Sequence, residues 1–153
     1  MIQAVTTEVE NPLQGEVAAL LRQSDLVATR LYPGEYRRPI TPESLAKPGT
    51  HLLVARLAGK AVGLCAVFER GSGKVELKRM IVDAEARGQG VGAALVRGVQ
   101  GEAQRLGAST VVLEVGVHNV EAQALYRRAG FTTCEPFHPY EPSPISLFME
   151  RQV

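Results

Sequence analysis

The sequence lacks tryptophan entirely, carries two cysteines, and has aromatic residues at only 5%. Cys65 and Cys134 sit far apart, outside any CxxC or Cys/His spacing. That excludes a disulfide framework or a zinc knuckle and predicts free thiols, as in a reducing cytoplasm. There is no excess of one charge: 17 Lys plus Arg stand against 16 Asp plus Glu, a formal charge of +1. A broad electrostatic footprint for nucleic acid is therefore missing, and adjacent cations such as Arg37-Arg38 and Lys78-Arg79 are weak support for one. No apolar run approaches the roughly 20 residues that span a bilayer, so no membrane segment is expected. Met1 to Glu10 holds two acids and no base, unlike a signal or transit peptide. What is abundant is apolar residues, at 45%, and glycine, at 15 of 153 residues. This suits one folded domain over residues 1–153 in which backbone turns matter.

Punctuation by Gly and Pro divides the chain. Residues 2–9 alternate like a first strand, and Asn11-Pro12 opens a helical pattern through Leu31 that Tyr32-Pro33-Gly34 ends. Thr41-Pro42 starts a short second helix, broken by Pro48-Gly49. A meander follows: 52–57, 61–69 and 75–82, joined at Ala58-Gly59-Lys60 and Gly71-Ser72-Gly73. The middle strand is nearly all apolar and predicts burial on both faces. A polar glycine loop then leads into a helix over 93–106, closed by Gly107. Thr110 to Val117 is a strand, Asn119 caps a helix through Arg128, and 131–134 and 145–149 are last strands about a Pro-rich stretch. The order β-α-α-β-β-β-α-β-α-β-β implies a mixed α/β sheet in one domain.

Arg87-Gly88-Gln89-Gly90-Val91-Gly92-Ala93 is the most informative segment. Alternate glycines expose successive backbone N–H groups, and the following helix aims its positive end at the same place. A phosphate or pyrophosphate is the natural guest, with Arg87 beside it, although a tight turn that binds nothing has the same letters. Gly88, Gly90 and Ala93 also satisfy the dinucleotide pattern G-x-G-x-x-A. Against that, 83–87 separates them from the strand and the upstream hairpins are not βαβ repeats. A Walker A loop is excluded, since no Gly-Lys-Ser/Thr is present.

Read as Arg87-x-x-Gly90-x-Gly92, the loop resembles the acyl-CoA motif of the GNAT superfamily of N-acetyltransferases. The resemblance extends upstream through Glu76-Leu77-Lys78-Arg79-Met80-Ile81-Val82. About 30 residues downstream it continues in Asn119 to Phe131, which is similar to the family's N-x-x-A-x-x-L-Y-x-x-x-G-F segment. It implies a single-domain GNAT fold, with a mixed, mostly antiparallel sheet of about seven strands, a V-shaped splay and about four helices. It further implies acetyl-CoA as co-substrate and acetyl transfer to an amine of a small molecule or protein by direct attack. No activated nucleophile marks an acyl-enzyme route. A non-catalytic CoA-binding module is the main alternative, with a dinucleotide-binding protein behind it.

By the same resemblance the cleft lies between 77–82 and 111–115. Met80, Ile81 and Val82 pair with the pantetheine arm, while Arg87, Gly88, Gln89, Gly90, Val91, Gly92 and Ala93 hold the pyrophosphate. Asn119 contacts the cofactor, and Tyr126 protonates the leaving thiolate. Glu76 is the candidate general base, against a reading in which it points outward and pairs with Lys78 or Arg79. Glu114 and His118 stand across the cleft as alternatives. The acceptor wall is expected from Tyr32, Glu35, Arg37 and Arg38 and from the Pro-rich loop with Tyr140. No metal ligand set is present, family members are often dimers, and the acceptor itself is left open.

Overall fold

The computed structural model describes residues 4–31 and 40–153. The elements run β1 (Thr6–Val9), α1 (Gly15–Leu31), α2 (Pro42–Leu45), β2 (Thr50–Leu57), β3 (Lys60–Gly71) and β4 (Lys74–Val82). After a 3-10 turn at Ala84–Ala86 come α3 (Val91–Arg105), β5 (Thr110–Gly116), α4 (Val120–Arg128), β6 (Thr132–Thr133) and β7 (Ser146–Gln152). This is the expected order of strands and helices. The first helix begins later than Asn11, because the Asn11 carboxamide closes a turn onto the Leu13 amide at 2.9 Å.

Seven strands form one sheet in the order β1-β2-β3-β4-β5-β7-β6. Every pair is antiparallel except β4–β5, whose strands are joined through α3. A parallel neighbour needs such a crossover, and a single one is present among the described residues. That is too few for a dinucleotide domain built from successive βαβ units.

The sheet separates two apolar layers. On one face Val91, Leu95, Val99 and Ala103 of α3 and Tyr126 of α4 pack with Val62, Cys65, Val67, Val75, Leu77, Leu113 and Val115. On the other, Val17, Leu20 and Leu21 of α1 and Leu45 of α2 cover Leu52, Val54, Leu64, Ala66 and Ile81. β3 carries residues of both layers, which is why Ala61–Val67 is buried without alternation. A third, smaller cluster seats Phe137 of the Pro-rich loop on Val112 and Phe148.

Two irregularities in β4 open the middle of the sheet. Its pairing with β5 runs from Lys74↔Thr110 to Leu77↔Leu113 and stops there. The opening between the strands therefore starts beyond Leu77 and Leu113, narrower than the expected span from 77 and 111. Against β3, Lys78 pairs with Ala66 and Ile81 with Leu64, so Arg79 and Met80 both oppose Cys65. Arg79 makes this β-bulge at φ +60°, a left-handed conformation uncommon outside glycine.

Candidate active site

Helix α3 begins without a side-chain cap. Its N-cap is Gly90, at φ +79°, and no side chain accepts from its first turn. The first intrahelical bond runs from the Ala94 amide to the Gly90 carbonyl at 3.0 Å, leaving the Val91, Gly92 and Ala93 amides ahead of it. Other helices are treated differently. Thr41 caps α2 through the Ser44 amide, and Asn119 caps α4 through the Ala122 amide at 3.2 Å. An uncapped helix end holding three free donors and the positive end of a dipole is an anion site.

These amides open on a cavity of about 1110 Å³ beside the part of β4 that β5 leaves unpaired. Met80, Ile81 and Val82 line it from β4, with Arg87, Gly88, Gly90, Val91, Gly92 and Ala93 from the loop and α3, and Asn119 from α4. Gln89 and Tyr126, also expected at the cofactor, are not on its lining. His118, expected at the acceptor, lines this cavity instead.

Sequence reasoning missed Arg30, Arg97, Arg128 and Arg151, which add cationic walls from α1, α3, α4 and β7. Local spacing could not have found them, because each comes from a different element. Among the described residues only Arg87 of these cations is ion-paired, to Glu121 at 3.2 Å on the exposed rim. A polyanion with an extended arm fits this lining: phosphates on the amides and guanidiniums, the arm along the free edge of β4.

Tyr126 is buried in the α3-side core, 4% exposed, tilted against Phe131 with ring centroids 5.7 Å apart. Burial, and secondarily the Cys65 thiol, hold its phenol well above the usual tyrosine range, so it keeps its proton at any physiological pH. Burial likewise pushes the Cys65 thiol up, which leaves it an inert core residue.

The opposite face of the sheet carries a second polar cluster. Glu76 is fully buried at the end of the β3–β4 hairpin. It does not point outward or pair with Lys78 or Arg79. Its Oε1 accepts from Arg70 Nε at 2.7 Å and Nη2 at 2.6 Å, and its Oε2 accepts from the Tyr140 hydroxyl at 2.7 Å. Tyr140 is held edge-on to Phe137 at 5.2 Å and tilted against Phe148 at 5.8 Å. Desolvation and the Glu76 hydrogen bond raise its phenol above the usual range. Glu114 is exposed on β5 and accepts from Ser146 Oγ at 2.6 Å. Tyr32, Glu35, Arg37 and Arg38 lie outside the described residues. No group of three or more His, Cys, Asp or Glu among the described residues is placed to hold a metal ion.

Comparison with known proteins agrees with this construction. The model of the acetyltransferase (GNAT) family matches residues 19–131. An IAA acetyltransferase of Azospirillum brasilense is 41% identical over 148 residues, spanning 96% of this chain and 97% of its own. A candidate acyl-CoA N-acyltransferase from Klebsiella pneumoniae superposes with a TM-score of 0.81 at 32% identity, covering 97% of both chains. PaiA N-acetyltransferase of Thermoplasma acidophilum, solved with coenzyme A, shares the fold at a TM-score of 0.79 and 16% identity, over 98% and 99% of the two chains. A sheet that opens after one parallel pair, an uncapped helix facing that opening and relatives aligned along nearly the whole chain have one explanation: the protein belongs to the GNAT family of acetyl-CoA-dependent N-acetyltransferases.

Proposed function

We propose that the enzyme passes the acetyl group of acetyl-CoA directly to a primary amine, with both substrates bound at once. The observation that carries this reading is the uncapped start of α3 facing the β4–β5 opening, because it supplies an anion site beside an unpaired strand edge. In this reading the Val91, Gly92 and Ala93 amides and Arg87 hold the pyrophosphate. The free edge at Met80–Val82 hydrogen-bonds the pantetheine arm as an added strand would. The amine approaches from the face of Glu76 and Tyr140 and attacks the thioester carbon through its lone pair; the carbon–sulfur bond then breaks as the new amide nitrogen gives up its extra proton to solvent. A strand amide near Met80 stabilises the charge that builds on the carbonyl oxygen. Tyr126 gives its proton to the departing sulfur and regains one from solvent.

The amine must shed its own ammonium proton first. Glu76 is fully buried and its Oε2 accepts from the Tyr140 hydroxyl, so in this reading the proton travels through that hydroxyl, which passes its own to Oε2 as it accepts one from the amine. Nearby cations help, since positive surroundings favour the neutral amine.

Two measurements test the proposal. Acetyl-CoA at 100 times its dissociation constant should stabilise the protein by about 2.7 kcal/mol, whereas NAD and NADP should do nothing. Amine-dependent release of free thiol from acetyl-CoA should then fall about 10²–10⁴-fold in Tyr126→Phe if chemistry limits turnover. Loss of affinity without loss of turnover would mean that Tyr126 only shapes the cavity. Tyr140→Phe turning over at the wild-type rate with the wild-type pH profile would assign deprotonation to water.

A further inference from the structure

One cation on the amine-facing side of the sheet has no carboxylate among the described residues to answer it. Lys78 follows Glu76 on the same face of β4, half-buried, and its Nζ lies 5.6 Å from the Phe68 ring centroid and 5.5 Å from that of Tyr140. No carboxylate among the described residues comes within ion-pair distance of it. Glu76, the nearest acid along the strand, is committed to Arg70 and Tyr140. Arg79 follows at the bulge, half-buried, in the field of Asp25 on α1 and of Tyr140. Arg70 stacks its guanidinium on the other reach of Phe68, 5.4 Å from the centroid. Burial pulls the Lys78 ammonium below its usual range, with Glu76 and Glu114 opposing that only in part.

A half-buried ammonium between two aromatic faces has given up water without gaining a counter-charge, and a ligand anion would supply both. An acceptor that is cationic throughout, such as a polyamine, would meet Arg70, Lys78 and Arg79 here with the buried acid already neutralised. We propose that the acceptor bears a carboxylate close to its amine, as a free amino acid does, and that Lys78 holds that carboxylate between Phe68 and Tyr140.

The spacing suits a compact molecule. Lys78 is two residues from Met80, which lines the donor cavity, so their Cα atoms are at most about 7 Å apart along β4. One carbon separates amine and carboxylate in an α-amino acid. A carboxylate held on Lys78 therefore keeps the amine close to this stretch of β4, which a long linker would not do. The half-buried rings of Phe68 and Tyr140 leave a wall for an apolar side chain. The inference rests on the acetyl-transfer reading and narrows its acceptor.

The test is thiol release from acetyl-CoA with free amino acids, their carboxamides and the corresponding decarboxylated amines, each series matched in side chain. The expected result is a kcat/KM for the acids at least about tenfold above their amides, the scale of one charge-assisted hydrogen bond. In Lys78→Met, which keeps the apolar stem, that ratio should fall towards one, and in Lys78→Arg it should persist. Equal use of acid and amide by the wild type overturns the proposal, as does a ratio that survives Lys78→Met. Turnover of no amino acid by a protein that acetyl-CoA stabilises also overturns it, while the donor site stands. Absence of stabilisation by acetyl-CoA instead removes the transfer reading itself. Should Lys78→Met fail to fold, as its melting curve would show, the wild-type acid-to-amide ratio decides alone.

Discussion

Gly63→Ala should damage the donor site from beneath. Gly63 lies in β3 between Ala55 of β2 and Val82 of β4. A Cβ there would stand 2.8 Å from Val91 Cγ1, 2.9 Å from the Ile81 carbonyl oxygen and 3.1 Å from Leu95 Cδ1. Ordinary contact begins near 3.4 Å, so the strand or the helix must give about 0.5 Å in a core packed at native density. Val91 and Leu95 are buried at 2% and 0% exposure and have nowhere to withdraw, and the carbonyl belongs to a paired strand. Overpacking of this kind costs about 1–3 kcal/mol, which for a domain this size lowers the melting temperature by about 2–12 °C. Because Val91 is the first residue of α3 and Ile81 lines the cavity, the same shift would misalign the amides proposed to hold the pyrophosphate. Acetyl-CoA should bind about five- to tenfold more weakly, the equivalent of about 1 kcal/mol. Gly101→Ala is the control: it is exposed in mid-α3 with nothing within 4 Å, and should gain about 0.5–1 kcal/mol from helix propensity. Calorimetry with and without acetyl-CoA measures both effects. A Gly63→Ala protein that melts with the wild type refutes the packing argument, and one that melts lower with unchanged affinity refutes the coupling to the helix end.

Arg56 ties β2 to the chain before α1 and to the first turn of α1, donating to Glu10 at 2.8 and 2.9 Å, to Glu16 at 3.0 Å and to the Gly59 carbonyl at 2.8 Å. Arg56→Met should lose about 1–3 kcal/mol in urea unfolding and leave acetyl-CoA affinity unchanged, since it is remote from the cavity lining. Asn119→Ala removes the cap on α4 and should cost about 1 kcal/mol, a fall of about 2–4 °C on melting. Glu102, buried on α3, is held below the usual carboxylate range by hydrogen bonds from Arg105, against burial that raises it. A lowered folded value contributes stability above the unfolded one that is lost as pH falls through the folded one. The stability gap between wild type and Glu102→Gln should therefore close on acidification below about pH 5, and a gap constant with pH would exclude that ion pair as its source.

Where local backbone demands are strong, the letters reveal the structure. Gly71-Ser72-Gly73 turns β3 into β4 with all three residues at positive φ, and Ala58-Gly59 does the same between β2 and β3. The glycine loop is legible for the same reason: Gly88 and Gly90 are both left-handed, ahead of an uncapped helix. What escaped depends on contacts made across elements. Glu76 meets Arg70 because the β3–β4 hairpin folds them onto one another, with Glu76 opposite Phe68. Lys78 reads in the sequence as an ordinary strand cation, because the two rings that flank it come from β3 and from the distant Pro-rich loop.

The bulge at Arg79 has no glycine to announce it, yet it decides which face each functional residue occupies. Before it, Val75 and Leu77 join the α3 layer, while Glu76 and Lys78 face the other way. After it, Met80 and Val82 pack against the α3 layer and Ile81 enters the α1 layer, so the alternation has slipped by one residue. A regular strand could not keep Lys78 and Glu76 on the face proposed for the amine and also turn Met80 and Val82 to the α3 side. The left-handed position costs about 1–2 kcal/mol in an L-residue, and glycine would avoid it. That an arginine sits there argues that its side chain is used, and Arg79→Gly measures the use. Relief of strain, offset by about 0.5–1 kcal/mol of added freedom in the unfolded chain, should leave the melting temperature level or slightly higher. The kcat/KM for the acceptor should nonetheless fall. A variant that is at least as stable and fully active would mean that the bulge serves the backbone alone.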